Sequence, residues 1–162
     1  MKLFKTLLTI LVISLLSSTS WSVTFDDLVE RNDLYYEKFT NVPFSGKVTG
    51  KYQGVIKNGK EEGAWVWYYK SGQVEVKENY KNGKLEGARV NYWSNGGLLS
   101  EGNYKNDKKE GVWIGYFENG QLSYKGTWKY NMKEGVWVGY NENGNVFKPD
   151  TGTFKDGKKI SD

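Results

Sequence analysis

The sequence predicts an all-β protein, an elongated single-layer antiparallel sheet of tandem β-hairpins. Three observations carry this reading. A 24-residue period runs through most of the chain, Asn-Gly pairs recur within it, and apolar and polar residues alternate between those pairs. Composition agrees: of 162 residues, 20 are Gly, 7 Trp, 12 Tyr and 7 Phe, against only 2 Pro. Many aromatics with many glycines suit short strands joined by tight turns. They do not suit collagen, low-complexity disorder or a helical bundle.

The N-terminus reads as a secretion signal over residues 1–22. Lys2 and Lys5 form a basic start, Leu7 to Leu16 is an apolar run, and Ser20-Trp21-Ser22 is a small-x-small cleavage site before Val23. The apolar run is too short for a bilayer, which needs about 20 residues. With no Cys, it is not a lipoprotein signal. The expected product is exported, periplasmic or extracellular. Removing Lys2 and Lys5 lowers the net charge of +4 by two.

Residues 23–52 read as an N-terminal cap. Thr24-Phe25-Asp26-Asp27 resembles a helix start, which predicts a short helix near 25–31. Leu34-Tyr35-Tyr36 and Phe44-Ser45-Gly46-Lys47-Val48 are expected to form a lead-in hairpin.

Residues 53–162 hold the tandem repeats. Gly63, Gly87, Gly111 and Gly135 step by 24, as do Gly72, Gly96, Gly120 and Gly144, and Tyr68, Tyr92, Tyr116 and Tyr140. Tyr80, Tyr104 and Trp128 keep the register, and Phe154 resumes it after a two-residue insertion near Pro149. That makes four units from Gly63 and a degenerate leading one. Asn-Gly at 58–59, 82–83, 95–96, 119–120 and 143–144, with Asp156-Gly157, predicts type I′ turns, which need positive φ at both central residues. Eight strands from four units would span about 38 Å at ~4.8 Å per strand. Lys155, Lys158 and Lys159 charge the C-terminal edge, and the cap is expected to cover the other.

Alternation assigns faces. We expect the core face to carry Val66, Val90, Ile114 and Val138 with Tyr68, Tyr92, Tyr116 and Tyr140 from the first strands. Val74, Leu98, Leu122 and Val146, with Tyr80, Tyr104, Trp128 and Phe154, join it from the second strands. Gly102, Gly126 and Gly152 lie between these residues, where a ring can cover the backbone.

The first strands have a second apolar face, with Trp65, Arg89, Trp113 and Trp137 in one row and Trp93 and Phe117 beside them. One explanation is a curled sheet that covers both faces. The other is an exposed partner-contacting ridge, since large apolar patches mark interaction sites. These six residues are the candidate binding site.

The runs Asn82-Gly83-Lys84-Leu85-Glu86-Gly87, Tyr92, Asn95-Gly96 and Tyr104-Lys105-Asn106 resemble the MORN repeat in its bacterial variant form. So does the stretch from Gly111-Val112-Trp113 to Gly120-Gln121-Leu122. The resemblance covers about Val42 to Lys159. It departs at Arg89, where Trp is usual, at Asp107 and Asn131, where a turn Gly is usual, and at the insertion near Pro149. It implies a twisted all-β sheet. The family's name reflects a proposed membrane role, its members look more often like scaffolds or protein-binding modules, and some bacterial ones carry an antitoxin label. It transfers no site.

Chemistry is restricted. With no Cys and no His, the chain has no disulfide, no Cys or His metal ligand, no thiol nucleophile and no imidazole base. Two stretches, Gly54 to Glu61 and Gly152 to Lys159, have phosphate-loop spacing but lack the final Ser or Thr and any following helix. The repeating Glu62, Glu86, Glu110 and Glu134 sit on turns, one per unit. We therefore expect no enzyme, no cofactor, no metal and no nucleic-acid partner. The leading expectation is a protein-binding or scaffold module at the cell envelope. The alternatives are a glycan- or choline-type surface-binding module using the aromatic ridge, and lipid-surface association or an antitoxin-like neutraliser.

Overall fold

The computed structural model describes residues 22–162; apart from Ser22, the expected secretion signal lies outside the described residues. The strands are β1 (Val23–Thr24), β2 (Leu28–Arg31), β3 (Leu34–Glu37), β4 (Gly46–Thr49) and β5 (Tyr52–Lys57). They continue as β6 (Lys60–Tyr68), β7 (Val74–Lys81), β8 (Lys84–Leu85), β9 (Gly87–Tyr92) and β10 (Leu98–Lys105). The last are β11 (Lys108–Tyr116), β12 (Leu122–Lys129), β13 (Met132–Gly139), β14 (Gly152–Lys155) and β15 (Lys158–Ser161). From β4 onward each strand lies beside its sequence neighbours, with the short β8 paired to β7, in one open 13-stranded sheet. The hairpin-repeat expectation holds, with more strands than the four units supply because the lead-in and the C-terminal hairpin extend the sheet.

The cap differs from expectation. Its helix is only a 3-10 turn, Phe25–Asp27. Asp27 Oδ2 accepts from Thr24 N–H at 2.9 Å and from Thr24 Oγ1 at 2.7 Å, and these bonds hold its carboxyl below the usual range. Leu34 to Glu37 pairs with Leu28 to Arg31 as a separate hairpin, and it meets the Phe44 segment through a Tyr36–Pro43 bridge and the Phe44 N–H to Tyr35 O bond of 2.8 Å instead of a full ladder. β1 runs parallel to β4 and blunts the N-terminal edge with two residues. The cap also packs on one face of the sheet, where Leu28, Phe44, Val48, Ile56 and Trp65 form a buried cluster with Phe25 and Tyr35 against it.

Two kinds of turn alternate. At Asn58-Gly59, Asn82-Gly83, Asn106-Asp107, Tyr130-Asn131 and Asp156-Gly157, both central residues have positive φ, between 49° and 80°. Asp107 and Asn131 thus keep the tight turn without Gly. At 95–96, 119–120 and 143–144 only the Gly is in that region. Phe117 N–H donates to Gln121 O and Gly120 N–H to Phe117 O, so these are three-residue loops with a glycine bulge, not type I′ turns.

The periodic glutamates have a turn role. Glu62, Glu86, Glu110 and Glu134 each accept from the first central N–H of the next tight turn, at 2.8, 2.9, 3.1 and 3.1 Å. On the opposite rim, Asn95 and Asn119 amides donate to Glu118 O and Glu142 O, one unit further on. Each unit therefore ties to the next along both rims, beyond the strand ladder.

The face assignment is corrected. Trp65, Trp113 and Trp137 are each 2% exposed, while Val112 is 49% and Val136 69% exposed. The packed face carries the tryptophans with Tyr80, Tyr104, Trp128 and Phe154. Val66, Ile114 and Val138 lie on the other face, opposite Lys77 and Lys125. The cause is a β-bulge in each unit. Where the first strand advances one residue, from Trp67 to Tyr68, Asn91 to Tyr92 and Gly115 to Tyr116, the second advances two. The extra residues are Glu75, Leu99 and Ser123, again 24 apart. A bulge reverses side-chain parity, so Leu122 and Trp128 face opposite ways despite their even spacing.

Candidate functional site

On the aromatic face each indole lies over a glycine of the preceding strand. A Cβ at Gly54, Gly102 or Gly126 would meet the ring of Trp65, Trp113 or Trp137 at 2.0–2.6 Å. Only a glycine lets the ring rest on the backbone, and there two of the three indoles reach an acceptor, while the buried Trp65 Nε1 has none among the described residues. Trp113 Nε1 donates to Asn103 O at 3.2 Å and Trp137 Nε1 to Thr127 O at 2.9 Å. Neighbouring rings pack edge-on, Tyr104 on Trp113 at 5.4 Å and Trp128 on Trp137 at 5.1 Å. Lysines close the top: Lys109 Nζ lies 4.4 Å from the Trp113 ring centre and Lys133 Nζ 4.5 Å from that of Trp137. This sharing of area lets a single-layer sheet bury three tryptophans.

One unit breaks the pattern. Arg89 stands where the others have Trp, and Glu78 where they have the glycine beneath it. Arg89 Nη1 lies 2.9 Å from Glu78 Oε2, and the Glu78 side chain is fully buried against 24% exposure for that of Arg89. The contact is an ion pair without hydrogen-bond alignment, since Oε2 has no donor. Oε1 accepts from Tyr80 Oη at 2.9 Å. Burial, with the Glu78 charge beside it, pushes the Tyr80 hydroxyl well above its usual pKa. Arg89 Nε donates to Asn91 Oδ1, and Asn91 Nδ2 to Ser100 Oγ.

The ridge expected from Trp65, Arg89, Trp93, Trp113, Phe117 and Trp137 is therefore not an exposed one. Its three central tryptophans are interior. Arg89 is committed to Glu78, and Trp93, half-buried, donates its indole N–H to Tyr116 O at 3.1 Å. Phe117 is half-buried at the loop rim. The structure brings the six onto one face but turns that face into the core. Along the sequence, Arg89 in place of Trp was legible but not the matching Glu78, which aligning position 78 with Gly54, Gly102 and Gly126 exposes.

The accessible apolar surface is the opposite, valine face. One row crosses seven strands as Val66, Lys77, Val90, Glu101, Ile114, Lys125 and Val138, each beside the next. Long charged stems lie between the aliphatic residues and half-cover them. The exposed Val112 and Val136 stand in the adjacent row beside Thr127 and Thr153. This gives a shallow groove of about 250 Å³ along Val112, Lys125, Val136 and Val138.

Near the cap, Glu61 is half-buried against Tyr35. Burial raises its carboxyl pKa, and burial with the Glu61 charge pushes Tyr35 up to about 12. A carboxyl raised in the fold contributes stability below its unfolded pKa of about 4.3 and loses it as pH rises through the folded value. Glu61→Gln is expected to raise the Tm by a few degrees at pH 7 and to leave it unchanged at pH 3, as read by thermal melts.

Fold and sheet topology define a class: an open-sheet β-hairpin repeat protein. Comparison with known families covers part of the chain. The model described as MORN repeat variant matches residues 61–82, 85–106 and 109–130. Residues 61–130 thus hold three consecutive repeats that match the MORN repeat variant. A search of curated proteins finds no match. Among solved structures, it is similar to a chain in the crystal structure of a GtfA/B complex bound to UDP and GlcNAc, at 13% identity and a TM-score of 0.23. That match covers 80% of this chain and 26% of the other, so this chain spans about a quarter of that length. So loose a superposition carries nothing about function.

Proposed function

We propose that the chain is an exported, non-catalytic binding module that holds a protein partner at the cell envelope, as a scaffold. MORN repeats generally serve as protein- or membrane-binding modules, and the secretion signal gives this one its address. The single observation behind the reading is the exposure of Val112 and Val136 on a strand face with charges of both signs around them. Aliphatic side chains left in water on a rigid sheet suit a partner that buries them, and Lys125 and Glu101 supply register for the contact.

The test is affinity capture from the organism's own envelope fraction with the purified exported chain. The wild type is expected to retain one reproducible protein. Val112→Glu with Val136→Glu is expected to lose roughly tenfold or more of that binding, as charged substitutions in an apolar contact do, with little change in Tm. Undiminished capture by the double variant overturns the assignment of this face. Intact mass checks the address: an exported product that still contains residues 1–22 contradicts cleavage.

A further inference from the structure

The repeat is interrupted once, after β13, and the interruption makes a cavity. The two extra residues fall at a three-residue 3-10 turn, Lys148–Asp150, before β14 resumes the register. Counted through the insertion, Gly152 takes the place of Gly126, Phe154 that of Trp128, and Asp150 that of Tyr124. In the regular unit the Tyr124 ring covers Gly115, where a Cβ would lie 2.1 Å from it. In the last unit the Asp150 Cβ covers Gly139 in the same way, at 2.6 Å. A carboxyl thus stands where an aromatic ring stood, and the missing ring leaves space. The result is an open cavity of about 580 Å³ on the aromatic face, walled by Phe117, Tyr124, Trp137 and Phe147. Its size is that of small-ligand sites, about 300–1,000 Å³.

The polar groups around it are of both kinds. The acceptors are the Asp150 and Glu142 carboxylates, neither of which has a side-chain hydrogen bond or ion pair among the described residues. The donors include Lys133, whose ammonium lies on the rings of Trp137 and Phe154, 4.5 and 4.8 Å from their centres. Asn141 adds its amide N–H groups, since its Oδ1 already accepts from Asn143 and Asn145. Trp128 also lines the cavity.

This set selects among ligands. A phosphate or carboxylate would face two carboxylates. A quaternary ammonium would face Lys133 and use none of the donors. An apolar ligand would strand all of these groups without partners. A sugar ring satisfies them together, because each hydroxyl both donates and accepts, and its C–H face lies flat on an aromatic ring. We propose that this cavity is a saccharide-binding site taking a pyranose ring, with Tyr124 and Phe147 as walls and Asp150 and Glu142 as hydroxyl acceptors. It lies on the face opposite the exposed valines, so its failure leaves the partner-binding reading untouched, and the reverse.

The experiment is titration of the exported chain with cellotetraose, chitotetraose and maltotetraose, read by tryptophan emission and by calorimetry. Tetramethylammonium and inorganic phosphate run beside them. At least one saccharide is expected to saturate with a Kd at or below the millimolar range. Phe147→Ala, at a side chain 44% exposed, and Asp150→Asn and Glu142→Gln, which keep shape, are each expected to weaken it roughly tenfold. Val136→Glu, on the other face, is expected to leave it unchanged. If Phe147→Ala unfolds the chain, the two isosteric variants decide. The proposal is overturned if no saccharide saturates, if tetramethylammonium or phosphate saturates instead, or if Asp150→Asn and Glu142→Gln bind as the wild type does.

Discussion

Trp113→Ala is expected to destabilise the protein by about 3–5 kcal/mol, the usual cost of truncating a buried large aromatic. The indole is 2% exposed, rests on Gly102, donates to Asn103 O, meets the Tyr104 edge and carries the Lys109 ammonium. Its loss strips four neighbours at once, and a single-layer sheet has no second layer to collapse into the space. Val112→Ala, one residue away on the other face, is expected to change stability by about 0.5 kcal/mol or less. Urea denaturation of the two variants reads the difference. Equal costs would mean that the faces are reversed. The double variant Trp113→Ala with Trp137→Ala is expected to be unfolded.

The second large effect lies at the irregular unit. Arg89→Ala is expected to cost about 3–5 kcal/mol, because it leaves the fully buried Glu78 carboxylate without a counter-charge. Glu78→Ala is expected to cost less, since Arg89 is partly exposed and its guanidinium can turn toward water. The double variant Glu78→Gly with Arg89→Trp restores the pair found at Gly102–Trp113 and Gly126–Trp137. It is expected to match the wild type or exceed it by about 1–4 kcal/mol, as replacement of a buried ion pair by packed apolar groups often does. A double variant less stable than both singles would show that the ion pair is tied to its surroundings, through Tyr80 and Asn91, more tightly than the packing is.

Much of this protein was legible along the chain. The 24-residue period, the all-β class and the hairpin unit follow from local chemistry, since Asn-Gly and Asp-Gly hold positive φ without help from distant residues. The glycines under the rings were legible too: at Gly102 and Gly126 the absence of a side chain between aromatic positions marks where a ring covers the backbone. The glutamates were placed on turns, but their bonds to the next turn were not visible, because those partners come together only when hairpins stack.

The aromatic row was found and its environment was not. Trp65, Trp113 and Trp137 were left between a covered face and an exposed ridge because both sides of the first strand are apolar, and alternation then offers no preference. The choice was made across strands. Bulges at Glu75, Leu99 and Ser123 reverse parity within the second strand, so Leu122 stays with Tyr116 while Trp128 crosses to Trp113. Nothing in the local residues announces such a bulge, because it is a property of the pairing between two strands and not of either one. The sequence by itself determined the period, the turns and the all-β class of this protein. Only the tertiary structure decided which face is core, since period-two alternation defines two faces and leaves cross-strand register to say which of them is buried.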